Sequence, residues 1–341
     1  MLKLGVVTRA GVRHPRTLLG RRRHVSLLLL PELVTRADVD AEEYDRLVGY
    51  ARMPNGVWKR TRHGRLHVVD AVLVDLLRER HADGSHLTVL DLAASTGVTS
   101  VELYRTLSAH FAVELVASDL YRDVVAVRSR HWPAAVVFDA FGEPLQYVLG
   151  RFVMPAGFAE SPVYVVNRAL RRLMHRWFAP AARGALAASR SASLAPFVPT
   201  TVGRFDVVKF PLLARETLEM IACEPRFRFE VADILRPLSP PAHVVRAMNI
   251  LTRDHFGDAE RVRALHHCID AVRPGGLFVV GWSPTPAAET VEASVYSVEG
   301  GGLRRLVTLN GGSEIDTLIA RELPVIEERG QLLEPRVSRG G

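Results

Sequence analysis

Cysteine and lysine are nearly missing from this 341-residue chain, and long apolar runs are missing altogether. Its two cysteines, Cys223 and Cys268, are too few and too far apart for a disulfide framework or a cysteine zinc site, so a reducing, cytoplasmic compartment is the expectation. Lysine occurs only at Lys3, Lys59 and Lys209, and almost all of the 44 basic residues are therefore arginine. The net charge of +7 suits an anionic partner, although an arginine-biased composition accounts for part of it. No stretch approaches the ~20 apolar residues that a membrane-spanning helix needs. Arg21–Arg23 ahead of Val25–Leu30 imitates a targeting signal. That run is short, is ended by Pro31 and has no A-x-A cleavage pattern, so an N-terminal strand or arm is expected instead.

What is present centres on Leu87–Leu107, LTVLDLAASTGVTSVELYRTL. Thr88, Val89 and Leu90 have the make-up of a buried parallel strand, and Asp91 ends it with a carboxylate. Ala93, Ala94, Ser95, Thr96 and Gly97 supply the small side chains of a tight turn that a ligand can approach closely. Val98, Val101, Tyr104, Leu107 and Phe111 then recur at helical spacing, so a helix N-terminus points its N–H groups into the turn. Such a unit cradles a nucleotide. A dinucleotide fingerprint wants G-x-G-x-x-G, whereas only the last glycine stands here.

The pattern Asp-x-small-x-small-x-Gly resembles motif I of class I S-adenosylmethionine-dependent methyltransferases, and AASTG is closest to the A-C-S-T-G turn of the chemotaxis-receptor methyltransferases. VASDL (Val116–Leu120) resembles their second-strand acid motif, NIL (Asn249–Leu251) their Asn-Val-Leu stretch, and RPGGLFVVG (Arg273–Gly281) their late strand. Ala93 and Ser95 stand where glycines are usual. The resemblance spans roughly residues 85–285 with one large interruption. It implies S-adenosyl-L-methionine as cofactor, held by Asp91, Ala93, Ser95, Thr96, Gly97, Asp119, Leu120, Asp233, Ile234 and Asn249.

Residue chemistry supports these places independently. Asp119, 22 residues after Gly97, follows a strand and can accept from both ribose hydroxyls, or simply cap a helix. Asp233 and Ile234 in FEVADIL match the place where the methyltransferases they resemble contact adenine, so the resemblance implies a carboxylate for the amine and an apolar neighbour for the ring; an N-cap or loop acid is the alternative. AHVVRAMNIL carries Arg246 and Asn249 toward a strand end, and His255 is the candidate general base because imidazole titrates near neutrality. His255, Asn249 and Arg246 are the candidate catalytic groups. His266 and His267 lie on an expected Asp258–Val272 helix whose core face is Val262, Leu265, Ile269 and Val272, and no metal-ligand spacing includes them.

Between Ala37 and Arg80 two helices are expected. The first has Asp40 or Asp38 as cap and Tyr44, Leu47, Val48 and Ala51 on its core face; the second spans Val68–Leu77. Basic Val57–His67 between them could touch phosphate but reads as a solvated loop, and nucleic acid is not an expected partner. Val136–Pro155 reads as a hairpin turning near Phe141-Gly142, followed by a helix within 161–189. Regular alternation resumes at GRFDVVKFPL (Gly203–Leu212), and a late hairpin joins Val291–Glu299 to Leu303–Leu309. Val166, Leu170, Leu173, Met174 and Trp177 form a stripe on the inserted helix, with Arg168, Arg171, Arg172, His175 and Arg176 opposite. Three uses are open for that stripe. It could be a lid holding a small-molecule or peptide substrate against Phe138, Tyr147 and Phe152, a peripheral membrane contact through 164–178, or a homodimer surface.

The expected architecture is α/β, a doubly wound, mostly parallel, seven-stranded Rossmann-like sheet. Residues 1–84 form an arm and helical cap, 85–135 and 203–325 the cofactor domain, 136–202 an inserted hairpin-plus-helix subdomain, and 326–341 a C-terminal tail, Gly- and Arg-bearing and disordered from about Leu333. The expected reaction moves a methyl group to an oxygen or nitrogen nucleophile, a carboxylate among them. The rivals are an NAD-dependent reductase and a non-catalytic binding protein on the same scaffold.

Overall fold

The computed structural model describes residues 5–6, 25–34, 36, 39–54, 56–150, 152–156, 165–190, 194–283, 290–300 and 302–327. Arg21–Arg23 and the tail from Leu333 lie outside these. The strands and helices in chain order are β1 (Gly5–Val6), α1 (Leu30–Val34), α2 (Ala41–Val48), α3 (His67–Arg78), β2 (His86–Leu92), α4 (Val98–Ser108), β3 (Ala112–Ser118), β4 (Asp123–Ser129), β5 (Ala134–Asp139), β6 (Pro144–Leu149), β7 (Phe152–Pro155), α5 (Val165–Arg190), β8 (Thr200–Val202), β9 (Phe205–Pro211), α6 (Arg215–Cys223), β10 (Phe227–Glu230), β11 (Ala242–Met248), α7 (Asp258–Asp270), β12 (Val272–Trp282), β13 (Glu292–Glu299), β14 (Gly302–Leu309), α8 (Asp316–Glu322) and β15 (Val325–Glu327). They fall into two units, Met1–Thr61 with Tyr121–Glu219, and Arg62–Leu120 with Met220–Gly341. No described helix is long and apolar enough to cross a membrane.

The second unit carries an eight-stranded sheet in the order β10-β3-β2-β11-β12-β13-β14-β15. Its first five strands run parallel, β13 and β14 pair antiparallel, and β15 returns parallel to β14, so the sheet has one strand more than the seven expected. Helix α4 joins β2 to β3, and α7 joins β11 to β12. The chain thus works outward from β2 to one side, then crosses to β11 on the other. This reversal makes the carboxyl ends of β2 and β11 a topological switch point, where open α/β sheets bind ligands. Helix α7 buries Ala264, Leu265 and Cys268, a face turned slightly from the expected one; Val262 and Ile269 are half-buried.

The first unit departs most from expectation. Its sheet has seven strands in the order β1-β7-β6-β5-β4-β9-β8, and every neighbouring pair is antiparallel. The interruption therefore runs from Tyr121 to Glu219 rather than 136–202, and the expected hairpin, β5 with β6, and helix, α5, are parts of a larger antiparallel sheet unit. Residues 203–212 do not rejoin the parallel sheet; β9 pairs with β4, Val127 opposite Val207. The cap also splits, because α2 belongs to this unit and α3 to the other.

Strand alternation explains both faces of this sheet. Val124, Ala126, Ala135, Val137 and Val148 face one way, onto a core shared with Leu27–Leu30, Tyr44, Leu47 and Val48. Val125, Val127, Ala134, Val136, Phe138 and Tyr147 face the other, onto α5. With both faces covered, the strands lose the polar half of their alternation. Asp40 caps α2 by accepting from Glu43 N, as its spacing implies. Pro31 lies in the first turn of α1 instead of ending the apolar run, a place where its missing N–H costs nothing. Buried Gln146 pins the incoming chain: its Oε1 accepts from Leu27 N and its Nε2 donates to Val25 O.

Helix α5 carries a correction. Its buried stripe is Met174, Phe178, Ala181, Ala182 and Ala185, with Leu170 and Trp177 at the margin, while Val166 and Leu173 are exposed. Phe138 and Tyr147 are core residues beneath it, so they do not line an acceptor site. The basic stretch after Pro54 is not simply solvated either. Arg52 and Arg60 flank the Trp58 ring at 6.0 and 5.1 Å, and Lys59 is buried.

Candidate functional site

Three of the five residues in the turn after β2 hold left-handed backbone: Ala93 (φ 56°), Ser95 (φ 57°) and Gly97 (φ 87°). Ala93 and Ser95 carry a Cβ in a conformation that costs an L-residue about 1–2 kcal/mol, strain of the kind that collects at functional turns. The turn is held in place by β3. Ala94 N donates to Ser118 O at 2.8 Å, and Ser95 N donates to Asp119 Oδ2 at 2.9 Å. Gly97 N donates back to Ala94 O and caps α4 without any side-chain hydrogen bond, leaving the first turn of the helix aimed at the turn. Thr96 is buried, and Asp119 and Leu120 are half-buried beside it. Ser118 Oγ, buried at the end of β3, has no hydrogen-bond partner among the described residues.

The carboxyl end of β11 is equally specific. Asn249 takes φ 59°, its N–H donates to Gly281 O, and its Oδ1 accepts from Ser283 N at 2.7 Å. Arg65 Nε donates to Ser283 Oγ at 3.0 Å. The Asn249 side chain thus ties the loop after β11 to the end of β12. His255 lies in the same loop, half-buried, with Nδ1 3.3 Å from Thr252 Oγ1. Burial lowers its pKa while Asp254 and Glu314 pull the other way, so the ring is neutral near pH 7 and able to accept a proton. Past β10, Asp233 Oδ1 accepts from Leu235 N, closing its own loop, and Ile234 is packed into the core with its carbonyl near His267 Nδ1. The loop-acid reading therefore describes Asp233 in part, and Ile234 is too buried to offer a ring surface.

Arg246 is corrected outright. It lies inside β11 with its Cα paired to that of Asp91 across β2, and it is 0% exposed. Its Nε and Nη2 donate to the two Asp91 oxygens at 2.8 and 2.7 Å, Nη1 donates to Asp70 Oδ1 at 2.7 Å, and Nη2 also reaches Thr99 O. Ser100 Oγ donates to Asp91 Oδ2. No part of this guanidinium can meet a substrate, and Asp91 serves the interior rather than the ligand edge. Burial works against the charge on Arg246, but the Asp91 and Asp70 carboxylates outweigh it and hold it protonated. Asp70, held by a single nitrogen, is pushed up to about 6 by burial despite Arg246.

Asp70, Thr99 and Ser118 were not singled out in the sequence. Asp70 carried a signal: it is a lone acid on the face of α3 that also buries Val69, Leu73, Val74 and Leu77, and an acid on such a face needs a buried partner. Among the described residues no cluster of His, Cys, Asp and Glu could hold a metal ion.

No protein-family model matches the chain, and no curated protein matches it. Among solved structures it is similar to the 4+2 cyclase SpnF, with 15% identity, 65% of this chain and 48% of that one covered, and a TM-score of 0.29. An O-methyltransferase family protein from Burkholderia thailandensis gives 12%, 71%, 40% and 0.30. An amino pentose methyltransferase from Micromonospora echinaspora gives 13%, 76%, 84% and 0.31. The chain spans less than half of the first two structures. Overlaps of this size carry no assignment.

Proposed function

We propose that the chain is an S-adenosylmethionine-dependent methyltransferase of class I type that moves a methyl group to an oxygen or nitrogen nucleophile. One observation carries the reading: at the switch point between β2 and β11, the Ala93–Gly97 turn lies against the Asp119 carboxylate through Ser95 N–H. A carboxylate has about four acceptor positions, so Asp119 has the chemistry to accept from ribose hydroxyls beside Ser95 N–H. Ser118 Oγ, buried at the end of β3 and without a hydrogen-bond partner among the described residues, is a further polar group next to Asp119.

The same turn separates the cofactor from its rival. A dinucleotide needs glycines so that backbone can approach the pyrophosphate, and Ala93 and Ser95 place Cβ atoms there. The acids at this edge, Asp119 and Asp233, suit a cationic sulfonium nucleoside better than a pyrophosphate. When bound, that cofactor supplies an already activated methyl group. The chain's task is then positioning and exclusion of water. Asp119 orients the ribose, the α4 N-terminus and turn hold the amino-acid end, Asn249 fixes the loop wall through Ser283, and neutral His255 takes a proton from the acceptor where one must leave. Titration calorimetry tests the reading. S-adenosylhomocysteine should bind at micromolar concentration and NADH should not, and the reverse order would overturn it.

A further inference from the structure

Helix α5 contains six arginines and one histidine over Val165–Arg190 and no acid. Its buried stripe faces β4, β5, β6, β8 and β9, so the remaining surface is not spent on folding. Two rows run along that surface. Val166, Leu173 and Pro180 recur every seven residues, and Arg172, Arg176 and Arg183 lie beside them, all exposed. Leu173 is 67% exposed, the most of any large apolar residue described, and Val166 57%. The patch continues off the helix. One turn from Leu173, Trp177 lies under the Arg204 guanidinium at 5.6 Å; Arg204 O accepts from Arg130 N; and two residues on stands Trp132, 64% exposed.

We propose that this face docks the chain onto an anionic phospholipid bilayer. Charge complementarity selects the partner class, since an acid-free helix presenting three exposed arginines calls for a negative surface. The aliphatic row and Trp132 select lipid within that class. Interfacial helices set aliphatic and tryptophan side chains into the acyl boundary beneath flanking cations, and a nucleic-acid backbone offers nothing for Leu173 and Val166 to enter. A second copy of the chain is disfavoured by the same charge, because self-packing would set arginine rows together without an acid between them.

Flotation of the full-length protein with phosphatidylserine-containing and with pure phosphatidylcholine vesicles, at low and high salt, tests this. Binding should require phosphatidylserine and weaken with salt. Arg172→Gln/Arg176→Gln should weaken it about 30-fold, at roughly 5-fold per cation. Leu173→Glu should abolish it, whereas Arg263→Gln, an exposed arginine in the other unit, should leave it unchanged. All altered positions are exposed, so melting curves should not move, which separates lost docking from lost folding. The proposal would be overturned by no vesicle binding by the native chain, by vesicle binding unaffected by Leu173→Glu, or by a dimer in sedimentation that Leu173→Glu dissolves. Binding to RNA in preference to vesicles would overturn it as well.

Discussion

Replacing Asp70 by asparagine removes one charge from the buried Asp70–Arg246–Asp91 cluster while keeping an oxygen for Arg246 Nη1. In the native chain two carboxylates share one guanidinium. Asp91 takes Nε, Nη2 and the Ser100 hydroxyl, so the less firmly held Asp70 is the one whose pKa rises. Its folded value of about 6 lies above the ordinary 3.8, and the folded state therefore binds this proton more tightly than the unfolded state. Stability is unaffected by this group below the unfolded value, falls as pH rises through the window from 3.8 to 6, and is flat above it. At ~1.4 kcal/mol per pH unit the loss comes to about 3 kcal/mol, undiminished by screening because the side chain is 4% exposed. Hydrogen exchange read on peptides covering β2 and β11 confines the measurement to the unit that contains the cluster. Other titrations cancel between the two proteins. The stability of Asp70→Asn relative to the native chain should rise by about 2 kcal/mol between pH 4 and pH 6.5. A constant difference would mean that Asp70 does not titrate there. A falling difference would mean that Arg246 holds it ionised, and the account of the cluster would be wrong.

Arg246→Met should cost about 3–5 kcal/mol, because it leaves two buried carboxylates without their cation, and a loss under 1 kcal/mol in urea unfolding would show that the cluster is not a structural centre. Phe178→Ala should cost about 3–5 kcal/mol and Leu173→Ala within about 0.5 kcal/mol, and thermal melts giving the opposite order would restore the stripe through Leu173. Asp119→Ala should weaken S-adenosylhomocysteine binding by about 30- to several-hundred-fold, a loss of ~2–4 kcal/mol in calorimetry, with the fold retained by circular dichroism. Gly97→Val should be worse, since a branched side chain meets φ 87° at the helix cap, and unimpaired binding by that variant would move the site elsewhere.

The parallel sheet was legible wherever a motif and a period coincided. Leu87–Leu107 announces strand, turn and helix by composition alone, Asp119 and Asn249 follow strands as their neighbours imply, and Arg273–Gly281 lies within β12. The antiparallel unit was not legible, for a physical reason. Covered on both faces, β4 and β5 read as apolar runs without polar alternation, and the pairing of Asp123–Ser129 with Phe205–Pro211 joins segments whose separation leaves no local trace. Helix α5 misled through size. Leu173 and Val166 weigh heavily in any apolar stripe, yet the small residues Ala181, Ala182 and Ala185 are what let the helix lie close on the sheet. Arg246 misled through chemistry: an arginine near a strand end suggests a ligand contact, and only the register that sets it against Asp91 turns it inward.

The central claim is that the carboxyl edge at the β2/β11 switch point holds a sulfonium nucleoside. A crystal structure of the chain grown with S-adenosylhomocysteine tests it most directly. The account predicts the nucleoside over the Ala93–Gly97 turn with its ribose hydroxyls on Asp119. Ligand bound anywhere else, or that edge empty while calorimetry shows saturation, would contradict it.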